Sequence, residues 1–178
     1  MLSIILIVII TTVTVVLVLA AGKPDEFRVQ RGISIDAPAA RIFESIDSFH
    51  RWPTWSPWEK LDPAMERTHS GATSGKGAVY EWQGNKKVGR GRMEIMESNA
   101  PRRILIKLDF FAPFEAHNTA EFILTPQGPE CTDVSWSMDG PTRFIGKIMQ
   151  VFMSMDKMMG KDFATGLANL KTVNKLAQ

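Results

Sequence analysis

Twenty residues from Leu2 to Ala21 carry no charge, proline or glycine, and beyond them the pattern changes to short alternating segments. At about 1.5 Å per helical residue the run reaches roughly 30 Å, the depth of a bilayer's hydrocarbon core. Its β-branched members Ile4, Ile5, Ile7, Val8, Ile9 and Ile10 would suit a strand in water, but the run is longer than any ordinary strand. The pattern predicts one spanning helix over residues 2–21. The competing reading, a cleaved secretory signal, needs a basic start and a small-x-small cleavage site. Only the α-amino group precedes the run, and Val18-Leu19-Ala20 is at best a tolerable cleavage triplet.

Past a linker at residues 22–26, Phe27, Val29, Arg31, Ile33 and Ile35 alternate with polar or small residues, the period of a strand with one buried face. Arg31 is the exception on the apolar side. Asp36-Ala37-Pro38 ends the strand and opens a short amphipathic helix carrying Ile42, Phe43 and Ile46. Trp52-Pro53-Thr54-Trp55-Ser56-Pro57-Trp58 fits neither a regular helix nor a central strand and predicts a rigid aromatic turn. Six further strands follow, at 65–70, 77–83, 88–97, 103–111, 115–125 and 132–139, joined by short turns as an antiparallel meander.

By parity Ile104, Ile106, Leu108 and Phe110, then Ala120, Phe122 and Leu124, then Val134, Trp136 and Met138 share a face that must be covered. The cover is the segment after Gly140-Pro141, where Ile145, Ile148, Phe152, Met155, Met159, Phe163, Leu167 and Leu170 recur at three and four, predicting one helix of about 28 residues. Gly160 and Gly166 inside it point to close packing or a slight bend. The expected fold is α+β: a curved antiparallel sheet gripping a long C-terminal helix, as one domain over residues 27–178, behind an N-terminal transmembrane helix.

Several motifs carry a resemblance. They are Ile35-Asp36-Ala37-Pro38 with Ile42-Phe43, the stretch from Phe49 to Trp58, Gly77-Ala78-Val79-Tyr80-Glu81-Trp82, and Gly166-Leu167-Ala168-Asn169-Leu170-Lys171. Residues 27–178 resemble the START-like superfamily, also called SRPBCC or birch-allergen-like helix-grip proteins, in its polyketide cyclase/dehydrase and lipid transport branch. The resemblance implies an apolar cavity between sheet and final helix. It implies no particular substrate.

Composition narrows the partners. All 21 basic and 19 acidic residues lie beyond the apolar run, a net +2 that gives no surface for nucleic acid. One cysteine, Cys131, excludes an internal disulfide and multi-cysteine metal sites. Lys23, Arg28 and Arg31 follow the run and nothing basic precedes it, which favours a cytoplasmic domain, although Asp25 and Glu26 thin the asymmetry.

The candidate ligand-binding set is Tyr80, Trp82, Phe110, Trp136 and Met138 on the inward face, with Met155 and Met159 from the helix. Arg31 and Asn118 are the inward polar residues. Either orients a ligand headgroup or carbonyl; otherwise Arg31 escapes through a bulge at Gly32 and Asn118 satisfies a local backbone group. His117 with Glu115 and Asp109 is the one histidine–carboxylate grouping, and alternation puts all three on the wet face; His50 and His69 have no obvious partners. The basic stretch Lys86, Lys87, Arg90 and Arg92 is a solvated hairpin or a contact for anionic lipid. No phosphate loop, metal-ligand spacing or serine nucleophile motif is present, so no catalytic residue, metal site or cofactor is assigned.

The leading expectation is a membrane-tethered module that binds a hydrophobic small molecule or lipid. The alternative is an enzyme of the cyclase, dehydratase or aromatase type, needing an inward acid–base residue such as Arg31 or Tyr80. A third is a partner-binding domain with a solid interior, which cavity volume separates from the other two.

Overall fold

A computed structural model describes residues 1–175; residues 176–178, the last of the expected domain, lie outside the described residues. Helix α1 (Leu2–Ala21) is long and apolar enough to cross a membrane, as a span or a signal sequence would be, and most of its side chains from Ser3 to Leu19 are exposed. It leads into strand β1 (Glu26–Ile35), helix α2 (Ala39–Asp47) and two 3-10 helices, Phe49–Thr54 and Pro57–Lys60. Strands β2 (Glu66–Gly71), β3 (Ala78–Gln83), β4 (Arg90–Asn99), β5 (Arg103–Ala112), β6 (Ala116–Gly128) and β7 (Cys131–Pro141) follow. Helices α3 (Phe144–Phe152) and α4 (Met155–Lys175) close the chain.

All seven strands form one open antiparallel sheet in the order β1-β7-β6-β5-β4-β3-β2, with α4 packed on the concave face: the expected helix-grip architecture. An extra residue at Met96 breaks the β4–β5 register between Ile95 and Glu97, a bulge of the kind that bends a sheet. The inward parity of β5, β6 and β7 is as read from the sequence: Ile104, Ile106, Leu108, Ala120, Phe122, Leu124, Val134, Trp136 and Met138 are all buried.

The C-terminal segment differs from one continuous helix. It breaks at Met153, whose backbone is extended, and restarts at Ser154, whose carbonyl accepts from the N–H groups of Lys157 and Met158 at 3.0 and 3.1 Å while its hydroxyl accepts from Lys157 at 3.3 Å. Serine is a favoured helix cap because its oxygen satisfies a first-turn N–H, and here that local preference overrides an apolar period running straight through it. The consequence is spatial: Ile145, Ile148 and Phe152 leave the gripped stripe, and α3 packs beside α1.

On α4, Phe163, Leu167 and Leu170 are buried, and the Phe163 ring stacks on Trp136 at 4.2 Å. Both helical glycines serve close packing. A Cβ on Gly166 would lie 2.8 Å from the Trp136 ring and 3.2 Å from Pro57; one on Gly160 would lie 2.0 Å from the Arg31 guanidinium. Alanine in place of glycine gains about 1 kcal/mol of helix propensity, whereas overpacking a rigid core costs about 1–3 kcal/mol. Gly166→Ala is therefore expected to lower stability, while Gly160→Ala, which meets only the end of a flexible side chain, changes little. Denaturant unfolding of the two variants measures the contrast, and equal losses would contradict it.

Candidate functional site

A cavity of about 220 Å³ lies between the concave face, the two 3-10 helices and α4. Six of the nine expected ligand residues line it: Tyr80, Trp82, Phe110, Trp136, Met138 and Met159. Strand pleating brings the first five there, and Met159 arrives one turn into α4. Trp82 is seated by Gly91, where a Cβ would fall 2.3 Å from its ring, and its indole N–H donates to the Val88 carbonyl at 3.2 Å.

Three expected residues do not reach the cavity. Arg31 has the inward parity predicted and β1 carries no bulge at Gly32, but its guanidinium runs past Gly160 to hold Asp156 in two bonds of 2.7 and 2.9 Å. It ties β1 to the first turn of α4. Asn118 is buried against Gly140, its Nδ2 4.0 Å from the Met138 sulfur and its Oδ1 unpartnered. Met155 packs half-buried against the core outside the lining.

Of the cavity's polar centre the sequence reading named Tyr80 alone, and Glu59 and Arg67 went unnoticed. Glu59 lines it from the second 3-10 helix with a side chain only 6% exposed. The Tyr80 hydroxyl donates to Glu59 Oε1 at 2.6 Å, and Arg67 Nε donates to Glu59 Oε2 at 2.7 Å. Arg67 is fixed further by donating to the carbonyls of Met65 at 2.6 Å and Glu59 at 3.1 Å. Burial first, then the bond to Glu59, pushes the Tyr80 phenol up, so it remains a proton donor at any ordinary pH. The hydrogen bond to Glu59 likewise raises Arg67 and keeps it a cation. Arg67 on β2 follows the buried Met65 by two residues and so shares its inward parity, a signal that pointed to a charge under the sheet.

The first 3-10 helix closes one wall. The indole N–H groups of Trp52 and Trp55 donate to the carbonyls of Ile46 at 2.9 Å and Ser45 at 3.0 Å, satisfying orphan acceptors at the end of α2. His50 and His69, unpartnered in sequence, stack on each other at 4.1 Å, and His69 leans over Tyr80 at 5.0 Å.

His117, Asp109 and Glu115 assemble on the outer face of the sheet, away from the cavity. Asp109 is buried there, contrary to the wet-face expectation, because His117 Nδ1 at 2.7 Å and Lys107 Nζ at 3.0 Å cover it. Burial alone would raise the Asp109 carboxyl; the bonds from His117 and Lys107 hold it below the usual carboxylate range. The same Asp109 bond, with Glu115, raises His117 above the usual histidine value. A folded-state value above the unfolded one adds stability that is complete below about pH 6.5 and fades as pH rises through the folded value. The unfolding midpoint of His117→Gln should therefore lie furthest below the unmodified protein at mildly acidic pH, the gap closing at alkaline pH. A gap that does not vary with pH would refute the assignment.

The family described as polyketide cyclase / dehydrase and lipid transport matches residues 26–174. No curated protein sequence gives a significant match. Among solved structures, the Zhui aromatase/cyclase from Streptomyces sp. R1128 is similar with a TM-score of 0.63 at 15% identity, over 84% of this chain and 94% of that one. A hypothetical protein from Helicobacter pylori gives a TM-score of 0.63 at 9% identity, over 86% and 90%. The di-domain aromatase/cyclase BexL of the BE-7585A biosynthetic pathway gives 0.59 at 13% identity, over 88% of this chain and 52% of that one. At such identities the likeness is one of fold.

Proposed function

Because the chain belongs to the polyketide cyclase / dehydrase and lipid transport family, we propose that it holds a hydrophobic small molecule or one end of a lipid between sheet and α4, beside a bilayer that α1 enters as an anchor. The observation that carries this reading is the cavity: about 220 Å³, walled mainly by carbon and sulfur, with polar groups from Glu59 and Tyr80. A dry apolar void of about 150 Å³ already takes up benzene, and pockets for drug-sized molecules begin at about 300 Å³. The occupant is therefore one or two rings or a short acyl stretch, with an oxygen that meets the Tyr80 hydroxyl. Anchoring beside the bilayer raises the local concentration of such a ligand without tight intrinsic binding.

Proton-transfer chemistry of the cyclase or dehydratase type is a second reading, favoured by Tyr80, Glu59 and Arg67. A buried phenol that stays protonated polarises a ligand carbonyl once its one O–H turns from Glu59 to the ligand, and the carboxylate oxygen so released, 2.6 Å from the phenol, is placed to accept a proton from the adjoining carbon. Arg67 orients that carboxylate.

Native mass spectrometry of the detergent-extracted protein from two expression hosts tests the first reading. A small apolar adduct is expected, and a clean unliganded mass from both hosts would overturn it. Tyr80→Phe then separates the two: a ligand still retained but no longer converted marks the enzyme, and a ligand retained without conversion in either protein marks the binding module.

A further inference from the structure

The register of the sheet gathers several exposed features onto one end. Glu26 pairs with Pro141, Phe110 with Ala116, and Arg90 with both Gln83 and Ala112. The linker from α1, the start of α3, the β5–β6 turn at 113–115 and the β3–β4 turn at 84–89 therefore share that end. Lys87 is exposed in the β3–β4 turn and also lines the cavity beside Val88, so the cavity reaches the surface there.

Helix α3 packs beside α1 and is fastened to the linker that follows it at this end. Lys147 Nζ lies 2.5 Å from Asp25, the Thr142 N–H donates to the Asp25 carbonyl at 2.6 Å, and Ala20 is buried on an otherwise exposed α1. Yet α3 has no buried residue. Phe144 is 54% exposed, Ile145 62% and Phe152 75%, and Phe114 in the β5–β6 turn is 66% exposed. Cationic side chains accompany them: Lys86 and Lys87 are exposed, and Arg90 lies over the Phe111 ring at 5.6 Å. Of the acidic neighbours, Asp25 is engaged by Lys147, Glu115 by His117 and Arg143, and Asp62 by the N–H groups of Ala64 and Asn85, while Glu26 and Glu66 stand exposed at the same end.

An apolar patch continuous with a membrane-crossing helix, rimmed by lysines, matches the chemistry of a lipid interface, where apolar side chains enter the acyl boundary and cations meet anionic head groups. We propose that α3 and the β5–β6 turn form a second membrane contact, dipping Phe114, Phe144, Ile145 and Phe152 into an anionic bilayer surface and seating the open end of the cavity on it. This rests on reading α1 as a membrane anchor. The four residues of chain between α1 and β1 hold that end of the sheet within reach of the head groups.

The full chain in a Cys131→Ser background, carrying one fluorophore at Phe114→Cys or at Glu130→Cys, tests the proposal. Glu130 lies in the β6–β7 turn at the opposite end of the sheet. The protein is reconstituted in phosphatidylcholine–phosphatidylglycerol vesicles containing a doxyl-labelled lipid quencher, and flotation reports anchoring independently. Fluorescence loss at 114, none at 130, and a smaller loss at 114 in Phe152→Asp with flotation unchanged are expected. Flotation with no loss at 114 overturns the docking and leaves the anchor standing. Failure to float defeats the anchor and the docking with it. A label at 114 shielded from aqueous iodide but untouched by the lipid quencher assigns the patch to a second copy of the chain and also overturns the proposal.

Discussion

Trp55→Ala is expected to cost about 3–5 kcal/mol, the range for deleting a buried tryptophan. Trp55 is fully buried, at the junction of the first 3-10 helix, the sheet and α4. Its ring meets Trp52 at 4.8 Å, Trp136 at 5.7 Å and Phe122 at 6.1 Å, contacts worth about 0.5–1.5 kcal/mol each beyond their buried area. Its loss also strips the Ser45 carbonyl of a donor inside the protein. Against a total stability of about 5–15 kcal/mol, that removes a fifth or more. Urea unfolding in detergent measures it as a fall in midpoint at constant slope. Trp58→Ala is the internal comparison, since Trp58 is half-buried and faces the cavity. A loss for Trp55 no larger than that for Trp58 would show that the junction does not hold the fold.

That junction also marks how far the sequence could be read. Two prolines and three tryptophans in seven residues are legible as a rigid turn because proline forbids the alternatives. What the turn is for is not legible, since the acceptors of its indoles lie on the preceding helix and its stacking partners on strands more than sixty residues away. Parity succeeded along β5, β6 and β7 because each side chain there meets one face and nothing else. It failed for Arg31 by reach alone: the direction was correct, and a long side chain carried its charge to the open end of α4. Glu59 escaped for the opposite reason. A carboxylate reads as solvated until its partners are known, and these stand 8 and 21 positions further along the chain. The α3–α4 break was masked because Phe152, Met155 and Met159 keep a helical spacing across Ser154.

Ala120→Phe is expected to weaken ligand binding about 100-fold while leaving the fold intact. Ala120 lines the cavity from β6, between Ile106 and Met138 in the strands on either side. A void of about 150 Å³ holds a benzene-sized group, so one added ring takes up a large share of the 220 Å³ available. Denying a ligand about 100 Å² of apolar contact at roughly 25 cal/mol per Å² removes about 2.5 kcal/mol, nearly two powers of ten in affinity. The substituted ring occupies space already empty, so it avoids the overpacking that a filled core would suffer. The readouts are the fraction of protein carrying the co-purified adduct and the unfolding midpoint. Loss of adduct with an unchanged or higher midpoint places the ligand between sheet and α4. An adduct retained in full would place it elsewhere, on α1 or α3, and a collapsed midpoint would mean that the cavity cannot accept a ring at all. The first outcome separates occupancy of the cavity from attachment to the membrane surface, because Ala120 is buried and has no part in the exposed apolar patch around α3.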